Sequence, residues 1–213
     1  MTQLNTLKWL QQPTQATELL IEQLLDIGVA LSDTYDLGEL LDLILSKSRE
    51  ITCSDAGSVY LVDELNVKEC KLVFKAAQND SLPDLAFQEQ ALAITSESLT
   101  GYVALTGQSL NLADAYNLPK NTPYKFDKSF DEKTGYRTCS VLILPIQNRH
   151  LEVLGVLQLI NRKIQSNVLL TQENAKELTQ PYSEWEERIL TSLASQAAIS
   201  IAVSYTHLRA HET

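Results

Sequence analysis

The chain has 213 residues, 44% of them hydrophobic, which is enough for one globular domain with a full core but too little for two domains of ordinary size. Its formal net charge of -10 argues against a nucleic-acid-binding surface, because an acidic protein repels an anionic polymer. No apolar run reaches the roughly 20 residues of a membrane span, and the N-terminus lacks the basic region of a signal peptide, so we expect a cytoplasmic protein without membrane contact.

Two amphipathic helices are predicted near the N-terminus. Apolar residues at helical spacing run through residues 17–32 and again through residues 37–51. Asp36 and Glu39 have the spacing of a capping box at the start of the second helix. The stripe of the first helix is Leu20, Ile21, Leu24, Leu25 and Leu31, and that of the second is Leu37, Leu40, Leu41, Ile44, Leu45 and Ile51.

A strand period replaces the helical period from Gly57 onward. The run SVYLVD and the alternating residues 70–76, with Cys70, Leu72, Phe74 and Ala76 on one side, predict a hairpin across the turn-like segment DELNVKE. A further strand is expected over residues 89–94.

A short helix and a long polar segment follow. Ser98 is expected to cap a helix that runs to Thr106 and ends at Gly107 in the left-handed conformation. Residues 114–136 are polar and contain proline, and a stretch of about 20 residues without its own secondary structure suggests a functional lid. Its aromatic residues are too many for a solvated linker: Tyr116, Tyr124, Phe126, Phe130 and Tyr136.

Two strongly apolar strands and a long helix complete the chain. TCSVLILPI and EVLGVLQLIN, joined by a tight turn at residues 148–150, are the candidates for the centre of the sheet. Ser183 and Glu186 have capping-box spacing at the start of the last helix. Its predicted apolar stripe is Trp185, Ile189, Leu193, Ala197 and Ile201.

This order of elements predicts an α+β fold: a central antiparallel sheet with the N- and C-terminal helices on one face and the lid on the other. Residues 1–35 are assigned to a helical linker or dimerisation segment and residues 36–203 to the domain itself. Residues 204–213 interrupt the amphipathic pattern and are interpreted as a non-native or read-through tail.

Neither a metal nor a disulfide is expected. His207 and His211 have metal-ligand spacing but fall in the tail, where exposure is the expected context. Cys53, Cys70 and Cys139 are far apart and include no CxxC pair.

Three runs of residues resemble a known family. LTGYVALTGQSLNLADAY, DEKTGYRTCSVLILPI and LGVLQLINR are similar, in that order, to the signature runs of GAF domains, and the resemblance covers about residues 37–203. It is strongest to the cyclic-nucleotide-binding branch found in phosphodiesterases and in bacterial adenylyl cyclases and phosphohydrolases. That branch carries an Asn-Lys, Phe, Asp-Glu motif, matched here by Asn161, Arg162, Tyr182, Trp185, Glu186 and Glu187. Arg162 and Glu186 preserve an ion pair that would close the fold between the last strand and the last helix.

The resemblance also implies a ligand pocket. Backbone N–H groups at Leu99 and Thr100 would hold a phosphate at the helix N-terminus. Thr134, Thr138 and Gln158 would bind a base or ribose, with Tyr124 or Phe126 stacking on a ring. The full implied set is Ser58, Leu99, Thr100, Tyr124, Phe126, Asp131, Thr134, Thr138 and Gln158.

The ligand would be a cyclic nucleotide, with cAMP favoured over cGMP. Gln158 stands where cGMP-binding relatives carry Glu, and an amide offers one donor and one acceptor, which suits adenine. No other cofactor is implied. The expected protein is a non-enzymatic homodimer that relays ligand binding through its terminal helices to an effector absent from the chain.

Other interpretations remain open. Ser58 and Gln158 are alternatively ordinary strand residues, Thr134 a turn residue and Asp131 a cap in the lid. The domain is alternatively a ligand-free dimerisation and relay module. One GAF branch reduces free methionine sulfoxide with clustered cysteines, but Cys70 and Cys139 have no neighbouring thiol. A bilin photosensor would need a Cys followed by His in the lid, which the sequence lacks.

Overall fold

The computed structural model describes residues 15–34, 36–63, 71–84 and 91–211, without the side chains of residues 15–21, 23 and 206–211. The helices are α1 Gln15–Asp33, α2 Leu37–Thr52, α3 Leu99–Thr106, α4 Ser129–Thr134, α5 Ala175–Leu178 and α6 Glu184–His211. The strands are β1 Ser54–Asp63, β2 Lys71–Asn79, β3 Ala91–Ala93, β4 Leu110–Leu112, β5 Val141–Gln147 and β6 Val153–Arg162.

The strands form one six-stranded antiparallel sheet in the order β3-β2-β1-β6-β5-β4. The predicted α+β class, the β1–β2 hairpin and the β5–β6 pair are confirmed. The prediction that β5 and β6 form the centre of the sheet is correct for β6 and wrong for β5. The central pair is β1 and β6, and β5 lies one strand further out. The sequence did not reveal this central position, because β1 begins with the polar residues Ser54 and Asp55, which are nevertheless buried in the structure.

Side chains alternate between two faces of the sheet, as the strand period of two requires. On the helix face, which includes Val59, Leu142 and Leu157, the sheet packs against α1, α2 and α6. On the lid face, which includes Tyr60, Ile143 and Val156, it packs against α3 and the segment before β5. The helices are therefore on one face and the lid on the other, as expected.

A β-bulge moves part of β2 from one face to the other. Val59 pairs with Ala76 but Tyr60 pairs with Phe74, so Lys75 has no counterpart in the register. Phe74 consequently lies with the lid-face cluster and Ala76 with the helix-face core. The prediction of one face for Cys70, Leu72, Phe74 and Ala76 is wrong at Ala76, because alternation holds only up to the bulge.

The predicted helix starts are confirmed by hydrogen bonds. The Glu39 amide donates to Oδ1 of Asp36 at 2.9 Å and the Gly101 amide to Oγ of Ser98 at 3.1 Å. Gly107 ends α3 with φ 66°. Ser183 donates from its amide to Glu186 at 2.8 Å, completing the capping box of α6.

The apolar stripes of α1 and α6 each differ from prediction at one residue, Leu25 in α1 and Trp185 in α6. Leu25 is 65% exposed and Trp185 is 48% exposed, whereas Leu31 is buried. Successive residues at i, i+4 rotate by about 40° around a helix, so a line from Trp185 to Ile201 leaves the buried face. The α6 face in the core consists of Leu190, Leu193, Ala194, Ala197, Ala198 and Ile201.

Three short elements were not predicted, namely β4, α4 and α5. Each has at most six residues, too few for a period to emerge. Helix α6 continues to His211, and the origin of residues 204–213 stays a prediction. The turn at residues 64–70, residues 85–90 and the side chains of Leu20, Ile21, His207 and His211 lie outside the described part. Within that part, no helix is both long and apolar enough to cross a membrane.

Candidate functional site

The lid, residues 114–136, lies between β4 and β5 and covers the lid face of the sheet. Two backbone hydrogen bonds hold the lid in place. The Ala115 amide donates to the Cys139 carbonyl and the Lys125 amide to the Glu97 carbonyl, both at 2.8 Å. Tyr124 is buried and meets Tyr102 edge-to-face with ring centroids 4.9 Å apart. The lid is thus packed closed by an aromatic side chain.

Ser58 and Gln158 face each other across the central strand pair beneath the lid. They are register partners, and Oγ of Ser58 lies 3.5 Å from Oε1 of Gln158. The Tyr60 hydroxyl lies 3.4 Å from the same oxygen. Burial raises the pKa of Tyr60, so its hydroxyl stays protonated and available as a donor. These residues form a polar group within an otherwise apolar face.

The start of α3 lies against the backbone of the lid. Ser98 accepts from the Gly101 amide, and the isolated parallel bridge between Ser98 and Lys125 pairs the Leu99 amide with the Lys125 carbonyl of the lid. Gly101 allows a tight approach, because a Cβ there would lie 2.3 Å from the Thr95 carbonyl oxygen. The anion-holding role of Leu99 and Thr100 at this helix N-terminus stays a prediction.

Asp131 and Thr138 meet, but their polar groups bind each other. Asp131 is buried and accepts from the Thr138 amide at 2.7 Å, the Thr138 hydroxyl at 2.9 Å and the Tyr116 hydroxyl at 3.0 Å. Thr134 donates to the Phe130 carbonyl at 2.8 Å at the end of α4. In this closed arrangement the three side chains shape the lid rather than face an open space.

Phe126 belongs to an aromatic and cationic cluster in the lid. Its ring meets that of Tyr116 at 5.2 Å, and the Arg137 guanidinium lies 3.5 Å from the Tyr116 ring centroid. Tyr124 instead packs its ring on Tyr102. The two aromatic candidates for stacking have different ring partners, although both pack on the lid-face cluster.

Asn161 fixes the exit of the lid. Its side chain accepts from the Cys139 amide and donates to the Arg137 carbonyl, both at 2.7 Å. It is fully buried and has φ 59°, a left-handed conformation that asparagine tolerates better than most residues. The sequence pointed to Asn161 through the family motif, and the structure gives it this anchoring role.

The other motif residues join α6 to the sheet. Nε of Arg162 lies 2.5 Å from Oε1 of Glu186, so the predicted ion pair is present. The buried Tyr182 hydroxyl bonds Oγ of Ser54 at 2.8 Å. Glu187 accepts from Ser109 and Asn111, which flank the start of β4. Trp185, by contrast, lies outside this arrangement.

Sequence reasoning missed a buried charge network at the end of the sheet. Asp55, fully buried, accepts from the Tyr136 hydroxyl at 2.6 Å and lies 3.2 Å from Nζ of Lys163. Lys163 also bonds Asp80 at 2.8 Å, and Arg49 bonds the other oxygen of that carboxylate. The only signal was an aspartate within a strand of small and apolar residues.

The network changes two pKa values. Burial and then the nearby Asp55 carboxylate raise the pKa of Tyr136 well above its ordinary value. Burial acts to raise the pKa of Asp80, but hydrogen bonds from Lys163 and Arg49 outweigh it and lower that pKa.

A groove of about 340 Å³ lies between α1 and α6, on the helix face rather than under the lid. It is lined by Leu24, Trp185, Arg188, Ile189, Ser192, Leu193 and Gln196. Among the described residues, no group of three His, Cys, Asp or Glu side chains is placed to hold a metal ion.

Comparison with known proteins assigns a family and a fold. The GAF domain family model matches residues 36–201. The chain is 32% identical over 160 residues to the dual 3',5'-cyclic-AMP and -GMP phosphodiesterase 11A of Takifugu rubripes, covering 74% of this chain and 17% of that protein. It is 28% identical over 143 residues to the probable 3',5'-cyclic phosphodiesterase pde-5 of Caenorhabditis elegans, covering 65% and 19%.

A solved structure supports the fold. The GAF domain of an Acinetobacter phosphoenolpyruvate-protein phosphotransferase superimposes with a TM-score of 0.64 at 22% identity, covering 88% of this chain and 95% of that one. The chain spans less than a fifth of the length of the curated relatives it matches, which share a module with it rather than a whole architecture.

Proposed function

Because the chain belongs to the GAF domain family, whose members are generally regulatory rather than catalytic, we propose that it binds a cyclic nucleotide on its lid face. The observation that carries this proposal is the combination of Ser58 and Gln158 under the lid with the N-terminus of α3, whose Leu99 packs in the same lid-face cluster. A cyclic nucleotide needs both features: polar groups for a base or ribose, and backbone donors for a singly charged phosphate.

The relatives support the ligand class. The name of phosphodiesterase 11A of Takifugu rubripes says that it acts on cyclic AMP and cyclic GMP. The segment that it shares with this chain makes up 17% of its length. We favour cAMP because the Gln158 amide combines a donor and an acceptor, which matches the edge of adenine. Glutamate at this position would instead accept two hydrogen bonds from guanine.

Ligand entry requires the lid to move. Tyr124 is buried against Tyr102 and the apolar lid-face cluster, in the space above the sheet. A ligand would exchange these aromatic contacts for contacts with its own ring, so it must bind the opened arrangement more tightly than the closed one. Asp131 and Thr138 would open with the lid or stay as its internal brace.

Signal output would pass through a homodimer of the terminal helices to an effector outside this chain, in the cytoplasm. Apolar side chains stay exposed on both helices: Leu25 and Val29 on α1, and Trp185, Ile199 and Val203 on α6. Burying such a stripe against a second copy would stabilise a dimer and let relative helix positions carry the signal. Multi-angle light scattering should give twice the monomer mass, and a monomer at high concentration would remove the basis of the relay.

A thermal-shift screen against cAMP, cGMP, cyclic dinucleotides and AMP tests the ligand, with calorimetry for any hit. Saturation at 100 times the dissociation constant should raise the free energy of unfolding by about 2.7 kcal/mol. AMP is the matched control, since it shares the base but not the cyclic phosphate.

The second candidate is a ligand-free dimerisation and relay module. The tight packing of Tyr124 and Tyr102 on the lid face favours it, because this arrangement is already complete without a ligand. Absence of a shift with every nucleotide, together with a stable dimer, would establish this second function.

A further inference from the structure

The three-residue strand β4 connects the two faces of the sheet. Leu110 and Leu112 point into the lid-face cluster with Tyr124 and Val103, and both are buried. Asn111, between them, points to the opposite side, as strand alternation requires. The backbone of β4 therefore links side chains in the lid-face cluster to a side chain on the opposite face.

Glu187 in the first turn of α6 receives that side chain. Oε2 of Glu187 accepts from Nδ2 of Asn111 at 3.0 Å, and Oε1 accepts from Oγ of Ser109 at 2.5 Å. Nδ2 of Asn111 also lies 3.3 Å from the Tyr182 carbonyl, just before α6 begins. One carboxylate thus holds Asn111 in the edge strand and Ser109 just before it.

The neighbouring residue ties the same helical turn to another strand. Glu186 pairs with Arg162 at the end of β6, a central strand that joins α6 to the sheet independently of β4. The start of α6 is held on two sides, by a fixed attachment to the sheet centre and by an attachment to a short edge strand. Both strands contribute side chains to the lid-face cluster, Val156 from β6 and Leu110 and Leu112 from β4, but β4 is the short strand at the edge.

We propose that Glu187 is a positioning residue that transmits rearrangement of the lid-face cluster, through β4, to the start of α6. This inference rests on the relay role proposed above. It assigns that role to a particular contact and needs no ligand to be tested. The alternative is that Glu187 only stabilises the helix N-terminus through its charge.

Hydrogen exchange in a set of single and double variants distinguishes these roles. Tyr124→Ala disturbs the lid-face cluster, and exchange of amides in residues 188–196 of α6 is measured by mass spectrometry. We expect Tyr124→Ala to speed this exchange at least about five-fold in the otherwise unchanged protein. In a Glu187→Ala background the same substitution should speed it less than about two-fold, although exchange in the lid still rises.

Two further backgrounds separate coupling from charge. Glu184→Ala removes an exposed carboxylate from the same turn and should leave the effect of Tyr124→Ala unchanged. Glu187→Gln keeps acceptor oxygen for Ser109 and should recover part of the coupling. An equal response to Tyr124→Ala in the Glu187→Ala and Glu184→Ala backgrounds would overturn the proposal, as would no response of α6 in the unchanged protein.

These outcomes do not depend on ligand binding. Failure of every cyclic nucleotide to bind would refute the proposed ligand but leave the exchange experiment intact. Conversely, bound cAMP with additive exchange effects would retain the proposed function and reject Glu187 as its coupling residue.

Discussion

The Tyr136 hydroxyl donates a hydrogen bond of 2.6 Å to Oδ2 of Asp55, joining the last residue of the lid to the second residue of β1. Both residues are buried. Since Asp55 also faces Lys163, the lid exit is tied to the charge network at the end of the sheet. The lid therefore has a fixed end, and movement over the lid face would be confined to the residues before Tyr136.

Tyr136→Phe should lower the free energy of unfolding by about 1–2 kcal/mol, because a buried carboxylate loses one hydrogen bond. Urea denaturation measures the change. Tyr102→Phe is the matched control: its hydroxyl makes a 3.4 Å contact with Gln108 at an exposed site, so its effect should stay below about 0.5 kcal/mol. Equal losses of stability in the two variants would contradict a stabilising role for the hydrogen bond between Tyr136 and Asp55.

Lys163→Met should be strongly destabilising, by about 3–5 kcal/mol, because it leaves the buried Asp55 without its cation. Lys47→Met gives the comparison, since the Lys47–Glu50 pair is exposed on α2 and should contribute at most about 1 kcal/mol. Denaturation of both variants at neutral pH measures the difference. Similar small effects would show that the network is not an energetic centre of the fold.

Stability should decrease in acid partly through Asp80. Its pKa is lowered in the folded state, so its contribution is present above the ordinary value of 3.8 and is lost as the pH falls through the folded-state pKa. Urea midpoints between about pH 6 and about pH 3 should therefore fall more steeply in the unchanged protein than in Asp80→Asn. Parallel curves would show that Asp80 does not contribute to the acid response.

Asn161 should tolerate glycine better than alanine. Both variants lose the hydrogen bonds to Arg137 and Cys139, but only alanine adds strain at φ 59°. We expect Asn161→Ala to be less stable than Asn161→Gly by about 1 kcal/mol. Thermal unfolding of the pair measures this difference, and a reversed order would place the role of Asn161 in its side chain alone.

Gln158→Glu should change nucleotide preference towards cGMP. A carboxylate accepts two hydrogen bonds from guanine but offers no donor to adenine, and a good polar match is worth about 1–3 kcal/mol when its loss leaves buried groups unpaired. Calorimetry with cAMP and cGMP gives the ratio of affinities. Ser58→Ala is the control variant, because it changes the neighbouring residue and leaves Gln158 in place. An unchanged ratio in Gln158→Glu would show that the side chain at position 158 does not contact the base of the ligand.

Much of the fold could be predicted because its signals are local. The capping residues Asp36 and Ser98, the left-handed end at Gly107 and the apolar runs of β5 and β6 each act over a few residues. The bulge at Lys75 and the central position of β1 depend on pairing between distant strands, which no local period reports.

The candidate site was predictable to a lesser degree. The register pairing of Ser58 with Gln158 follows from two strands that the sequence identified separately. The hydrogen bonds that Asp131 accepts from Thr138 and Tyr116 depend on how the lid folds, which the sequence did not predict. The network around Asp55 joins residues up to 108 positions apart in sequence, from Asp55 to Lys163, and was invisible to spacing rules.

Hydrogen exchange of the lid with and without saturating cAMP tests the central claim most directly, with AMP as the control. The account predicts that cAMP changes exchange in residues 114–136 and that the change is absent in Gln158→Met, whose side chain is of similar size but lacks the amide. Identical exchange in the lid with cAMP, cGMP and AMP would contradict cyclic-nucleotide binding on the lid face.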